Sequence, residues 1–422
     1  MKLRRGRWIA VAAASALLLA GCGDSGDDTE ETEAGTDRES TDSTTDSDTE
    51  VDEAEEDESE GATDVAEGDT YIFTDSAGRE VELPTNLERV ASGGPLANIM
   101  IYSVRPEVLV GWSSAPSDSA MDFIVEEYWD LPEYGKFYDN QSGFNREALM
   151  ASDPQVIIDV GEWDEEYVKG LDELQEQVGI PVIIIDGNLE NTAEGYRLMG
   201  DVLGEEERGE ELAAYTEDIL EGAEEATSQI PEDEKKTVYF AEREDGLSTI
   251  LSGTIHAQTV EMVGGIVVAD PATAESQQGG GTVSMEQLLS WDPDVIFFLP
   301  GSIYDSAADD PSWQALSAIA NDTYYEVPGA PYNWISRPPG PNRIVGINWM
   351  GQLLYPEYFD NDIVEETKEF YEPFYRYELN DDEVEEILGN PTLKYLGIKP
   401  APTVESEEEG HGQGRAVSLR HL

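Results

Sequence analysis

The chain has 422 residues, enough for two ordinary domains, and carries 92 acidic against 24 basic side chains, a formal net charge of −68. That charge excludes nucleic-acid binding, because a phosphate backbone would be repelled. It reads as a halophile's surface, in which molar salt shortens the Debye length to about 3 Å and relieves self-repulsion.

Residues 1–21 read as a lipoprotein signal peptide. Lys2, Arg4, Arg5 and Arg7 precede an apolar run from Trp8 to Ala20, too short to span a membrane comfortably. The run ends Leu19-Ala20-Gly21-Cys22, which resembles the lipobox of bacterial lipoproteins; this implies lipidation of Cys22 and attachment to the outer face of the cell membrane. Cys22 is the single cysteine, so the chain has no intramolecular disulfide and no thiolate metal cage. Residues 22–69 read as an acidic disordered tether. Gly23 to Asp69 holds 22 acids and one base, Arg38, and too little apolar surface to offset the entropy of ordering.

Residues 70–205 read as a first α/β lobe. Tyr71 to Leu83 predicts a hairpin around Ser76-Ala-Gly78. A strand over Arg89 to Gly94 leads into a helix over Pro95 to Val104, with proline in its first turn. Val108 to Trp112 predicts the next strand. Two distant stretches, Glu147 to Ile158 and Glu286 to Phe297, share the pattern E-x-L-x-x-x-D-P-x-V-I. Each predicts a short helix, a stop at Asp-Pro and a buried strand, so the two halves are built alike. Asp164 to Val178 is an amphipathic helix closed by Gly179, and Pro181 to Ile185 a strand. Strands alternating with helices imply parallel sheets. A helix over Thr192 to Leu203 is followed by a long one over Glu206 to Gln229. Residues 206–230 would connect the lobes, spanning roughly 36 Å at 1.5 Å per residue.

Residues 231–399 read as a second α/β lobe. It opens with a strand over Thr237 to Ala241 and a hairpin-like Glu242 to Leu251. A helix over Thr254 to Val263, a strand over Ile266 to Ala269 and a flexible loop over Gln277 to Gly281 follow. After the second repeat come a helix over Ser312 to Ala320, a strand over Thr323 to Val327 and a proline-rich loop over Pro328 to Pro341. Helices over Asn342 to Leu354, Asp362 to Tyr377 and Asp382 to Leu388 complete the lobe, and residues 400–422 form a disordered tail.

From about Tyr71 to Tyr377 the chain resembles the iron-siderophore, haem and cobalamin class of ABC-transporter substrate-binding proteins. The resemblance rests on Phe73-Thr-Asp-Ser-Ala-Gly-Arg-Glu-Val81, on both repeat units, on Gly253-Thr-Ile-His-Ala-Gln258 ahead of Gly264-Gly265, and on Asn333-Trp-Ile-Ser-Arg-Pro-Pro-Gly-Pro-Asn-Arg343. It implies an α/β fold of two Rossmann-like lobes with central parallel sheets, joined by one long helix, with a ligand cleft between lobes that move little on binding. It implies no enzymatic activity and no cofactor. The implied partners are a metal-chelate ligand, a ferric siderophore first, and the permease dimer of an ABC importer, met by Glu147 and Glu286; the protein would be a monomer. A carboxylate in the first turn of a helix suits that docking role, since the macrodipole stabilises it and arginine can pair with it.

Ligands of open α/β sheets lie at the C-terminal strand ends, here the loops after Ala91, Gly111, Val160, Leu251, Leu299 and Val327. Trp112, Trp163 and Trp334 fall in three of them, with Tyr138 and Tyr332 as further candidates. Aromatics there suit a planar or catecholate-rich chelate, and suit packing between lobes equally well. No Lys or Arg occurs from Glu244 to Ser336, so Arg337, with Arg243 and Arg343, stands out as a partner for an anionic ligand. The alternative is a salt bridge to one of many acids. His256 is the sole histidine of the folded part, read as lying in a helical first turn, where the positive terminus keeps the imidazole neutral and able to touch a metal. One histidine is a poor metal site by itself, and a capping or packing role fits too. Within the class, haem, cobalamin or another metal complex stays open, and a tethered sensor module without a transporter is the competing reading. A hydrolase finds no support: the sequence has no G-x-S-x-G, no catalytic cysteine and no H-E-x-x-H.

Overall fold

The computed structural model describes residues 69–136, 144–277, 280–395 and 397. The expected signal, Cys22, the tether up to residue 68, Tyr138 and the 400–422 tail lie outside the described residues.

Strands β1 (Thr70–Thr74) and β2 (Glu80–Pro84) pair antiparallel, as the alternation predicts. Strands β3 (Val90–Ser92), β4 (Val156–Gly161) and β5 (Val182–Asp186) form a parallel sheet with β4 at its centre. The second lobe holds a parallel sheet ordered β12-β11-β6-β8, from β6 (Thr237–Ala241), β8 (Ile266–Val267), β11 (Val295–Phe298) and β12 (Tyr324–Glu326). Beside it, β7 (Ser248–Thr249), β10 (Gly280–Thr282) and β9 (Glu275–Gln277) make a small antiparallel sheet in that order.

The sequence repeat is a structural repeat. Helix Arg146–Ala151 feeds β4, and helix Met285–Trp291 feeds β11. Both chains turn at the aspartate of Asp-Pro, Asp153 at φ 47° and Asp292 at φ 44°. Aspartate is one of the few residues other than glycine that visits this left-handed region readily. Side chains then alternate across each sheet. Val156, Ile158, Val160, Ile183 and Ile185 face the same core as Val238, Phe240, Val295 and Phe297. Ile157, Val182 and Ile184 face an outer cluster in the first lobe, and Tyr239, Ile296 and Phe298 another in the second. One apolar core thus runs through both lobes.

The long helix is Glu206–Ser228, packed on helices Thr192–Leu203, Asn342–Leu354 and Gln258–Met262. It crosses Thr192–Leu203 closely because two glycines meet: a Cβ on Gly200 would lie 2.9 Å from the Gly209 Cα. A further tie comes from Arg376, which donates to the carbonyls of Tyr102 and Ser103 (3.0 Å each) and Val104 (3.2 Å) at the end of helix Pro95–Val104. Those carbonyls have no partner within the helix, and the cation complements its negative end.

Several expected elements are corrected. Val108 to Trp112 is not a continuous strand: a 3-10 turn occupies Pro106–Val108, and only single parallel bridges follow, Leu109 to Val90 and Trp112 to Glu133. The helix placed at Thr254 begins at Gln258, because Thr254 Oγ1 donates to Leu251 O (2.8 Å) and holds the chain in turns through Ala257. The glycine run at 277–281 is not simply a loop: Gly280–Thr282 is the central strand of the small sheet. The helix expected over Ser312 to Ala320 breaks at Leu316 into a 3-10 turn and Ser317–Ala320.

Candidate ligand cleft

Two cavities open between the lobes, of about 610 and about 700 Å³. The smaller is lined mainly by the second lobe: Glu242 and Arg243 after β6, Pro300 after β11, Gly329 and Pro331 to Asn333 after β12, and Gly280 and Gly281. Ala115 and Ser117 close it from the first lobe. The larger is lined by Pro95, Asn98, Lys136, Glu162 and Tyr167 from the first lobe, and by Ile255, His256 and Pro338 from the second. Ala115, Tyr332 and Arg337 line both, so they stand at the division between them. All six loops at strand ends named from the sequence contribute lining residues.

Arg337 forms an ion pair with Glu242, which is 8% exposed: Nη2 donates to Oε2 at 3.0 Å, and Nε donates to Oε1. The salt-bridge alternative is therefore realised, and Arg337 still lines both cavities. The strand of glycines beside it has a steric cause. A Cβ on Gly280 would lie 2.9 Å from Arg337 Nη2 and 2.9 Å from Thr249 O. Arg243 is exposed at φ 63° in the turn after β6, where its carbonyl accepts from Gly246 N (3.0 Å).

His256 lines the larger cavity, with Nδ1 hydrogen-bonded to Ser336 Oγ. Burial, then the nearby Arg337 and Arg343, push its pKa down to about 4, so the imidazole is neutral at ordinary pH. Neutrality was expected from a helix terminus. The cause is instead desolvation and two cations, because His256 precedes the helix by two residues.

The tryptophans are corrected. Trp112 is 1% exposed inside the first lobe, its Nε1 donating to Tyr128 O (2.8 Å), and Trp334 is 0% exposed against Trp349. Both are large apolar groups for which the lobe interiors provide more contact than a cleft would, and neither lines either cavity. Trp163 is 40% exposed and lines neither cavity; its neighbour Glu162 lines the larger one. Arg343 is buried and ties the lobes, donating to Gly187 O (2.8 Å) and Gln258 Oε1 (3.0 Å). Burial pushes its pKa down to about 9.

Sequence reasoning passed over three groups. Lys136 brings a cation to the larger cavity. Asn333 lines the smaller one, within a motif quoted for its resemblance and not for its chemistry. Asp159 is the third, a carboxyl at the centre of β4 bonded by Tyr167 Oη (2.5 Å); a charged residue inside Val-Ile-Ile-Asp-Val was the available signal. Glu147 and Glu286 are both exposed at the second position of their helices. Asn145 and Ser284 cap those helices, accepting from Ala148 N (3.0 Å) and Gln287 N (3.2 Å). Hydrogen bonds from its own backbone N–H and from Ser284 hold the Glu286 carboxyl below the usual range.

The family model for periplasmic binding proteins matches residues 114–331. Among solved structures, the chain is similar to an ABC transporter solute binding protein from Sulfurospirillum deleyianum, with 29% identity and a TM-score of 0.69 over 75% of this chain and 98% of that one. A periplasmic solute binding protein from Veillonella parvula gives 24% identity and a TM-score of 0.62, covering 77% of this chain and 100% of that one. A molybdate periplasmic binding protein from Haemophilus influenzae gives 21% and 0.59, covering 74% and 99%. These last two share the fold. No curated protein matches the chain in sequence. The match across residues 114–331, on a two-lobed α/β fold with its cavities between the lobes, means that the chain belongs to the periplasmic binding protein family, the non-enzymatic solute receptors of ABC importers.

Proposed function

We propose that this substrate-binding protein captures a metal chelate, a ferric siderophore first, and delivers it to an ABC importer from a lipid anchor on Cys22. The family supplies the importer and the extracytoplasmic location. The chelate is inferred from the cleft. On a chain of net charge −68, the linings of the two adjoining cavities hold Arg243, Lys136 and the Glu242-paired Arg337, together with a neutral imidazole and the carboxylate of Glu162. That grouping is the observation that carries the reading. Guanidinium groups suit ligand oxygens, and a neutral His256, with Nδ1 occupied by Ser336, has Nε2 left for an incompletely chelated metal. Each cavity falls within the roughly 300–1,000 Å³ of ordinary ligand pockets. The fold leaves the ligand open, since the Haemophilus influenzae protein is bound to molybdate.

Glu147 and Glu286, equivalent in the two repeats, would dock one lobe each on the permease. Exposed carboxylates of this kind mostly govern encounter and orientation.

The test is a titration of the full chain in molar KCl, followed by tryptophan fluorescence. Ferric catecholate, hydroxamate and carboxylate siderophores, haemin, cobalamin and free metal ions are the ligands. Sub-micromolar binding of one chelate class, lost in Arg337→Ala, supports the proposal and names the class. A folded protein that binds no chelate refutes it.

A further inference from the structure

A residue that lines the smaller cavity carries a donor with no partner among the described residues. Asn333 is 8% exposed, and its Oδ1 accepts from the backbone N–H groups of Ile335 and Ser336, both at 2.9 Å. Those two donors fix which end of the amide is oxygen, so Nδ2 is turned the other way. Nδ2 is buried and has no hydrogen-bond partner among the described residues. A buried amide N–H without an acceptor is costly, and native proteins seldom leave one unless a ligand or water completes it. Asn333 lines the cavity together with Glu242, Arg337 and Arg243. Glu242 and Arg337 balance each other as an ion pair, which leaves the charge of Arg243 uncompensated within that set.

We propose that this cavity is a carboxylate subsite of the cleft, in which Asn333 Nδ2 and the Arg243 guanidinium receive a carboxylate that the chelate carries outside its metal-binding atoms. The inference rests on the chelate-receptor reading and narrows it. A carboxylate accepts hydrogen bonds without donating any, which matches an amide N–H beside a guanidinium. At about 610 Å³ the cavity is far larger than one carboxylate, so the group arrives on a bulky ligand. The His256 cavity lies across Ala115, Tyr332 and Arg337, placing the metal-bearing part of the same ligand next door. The substrate class is then a chelate with free carboxylates, in preference to a neutral hydroxamate complex.

Isothermal titration of the full chain in molar KCl tests this. Ferric citrate and haemin carry free carboxylates, ferrioxamine B has none, and inorganic phosphate serves as a free anion. Asn333→Asp keeps the oxygen that the backbone N–H groups need and replaces the donor with a second carboxylate oxygen. Arg243→Asn removes the charge at an exposed position whose left-handed φ asparagine tolerates, so the fold is preserved if Asn333→Asp proves unstable. The expected result is that wild type prefers ferric citrate or haemin, and that each variant weakens the preferred ligand by roughly tenfold or more, the loss of a charge-assisted hydrogen bond. Carboxylate ligands bound within twofold of wild type by both variants would overturn the subsite. So would a preference for ferrioxamine B, or phosphate alone binding with the same sensitivity to Asn333→Asp. A folded wild type that binds no chelate defeats the receptor reading itself. A wild type that binds ferric citrate while both variants are indifferent defeats only the subsite.

Discussion

Replacing Asp159 with asparagine should make the protein's stability less dependent on pH. Asp159 is 1% exposed on β4; Oδ2 accepts from Tyr167 and Oδ1 has no partner among the described residues. Burial pushes its carboxyl from 3.8 up to about 7, against smaller opposing effects of the bonds from Tyr167 and the Val160 backbone. The raised value means that the native state holds a proton which the unfolded chain has released, so stability is lost as pH rises from about 4 through about 7. At 1.36 kcal/mol per tenfold, the difference between 3.8 and about 7 corresponds to about 4 kcal/mol. Asparagine keeps an oxygen for Tyr167 and never ionises. Its own cost, two N–H groups where Oδ1 stood, is the same at every pH. Urea unfolding in molar KCl at pH 4 and pH 8 should therefore show Asp159→Asn gaining about 4 kcal/mol relative to wild type between the two. A gain below about 1 kcal/mol would mean that Asp159 is ionised in the native state at neutral pH, and the reasoning from burial would be wrong.

Gly346→Ala would place a Cβ 1.9 Å from the Trp334 carbonyl oxygen, so the helix Asn342–Leu354 would have to move; unfolding should show a loss of about 3 kcal/mol. The double variant Glu147→Ala, Glu286→Ala should lose ligand uptake in cells while binding ligand as wild type does; unchanged uptake would remove the docking role. Because His256 titrates near 4, chelate affinity should be flat from pH 8 to 5 and fall as pH drops through about 4, where the imidazole becomes charged; a break near 6.5 would place the ring in water. Lowering KCl from molar to 0.1 M lengthens the Debye length from about 3 to about 10 Å and should lower the thermal midpoint; an unchanged midpoint would refute the halophilic reading of the charge.

The sequence by itself determined what local rules govern. Apolar β-branched runs, Asp-Pro stops and the glycine after Val178 located most strands and helices, and helices Pro95–Val104, Thr192–Leu203 and Asn342–Leu354 lie where they were read. The repeated E-x-L-x-x-x-D-P-x-V-I pattern correctly predicted a helix, a stop and a strand in each copy; that both stops turn on a left-handed aspartate came from the structure. Strand ends told where the cleft would open, because parallel sheets place their loops there. Which side chains face that cleft was decided by tertiary structure. A loop tryptophan gives no sign of its direction, and Trp112 and Trp334 turn inward because burial of their large apolar surface is worth more than exposure. Arg337 and Arg343 looked alike as rare cations. Only the fold sets Glu242 beside one, and Gly187 with Gln258 beside the other. Asn333 became a candidate donor only when its oxygen was seen to be occupied and its nitrogen was not, since hydrogen-bond satisfaction depends on groups far apart in the chain.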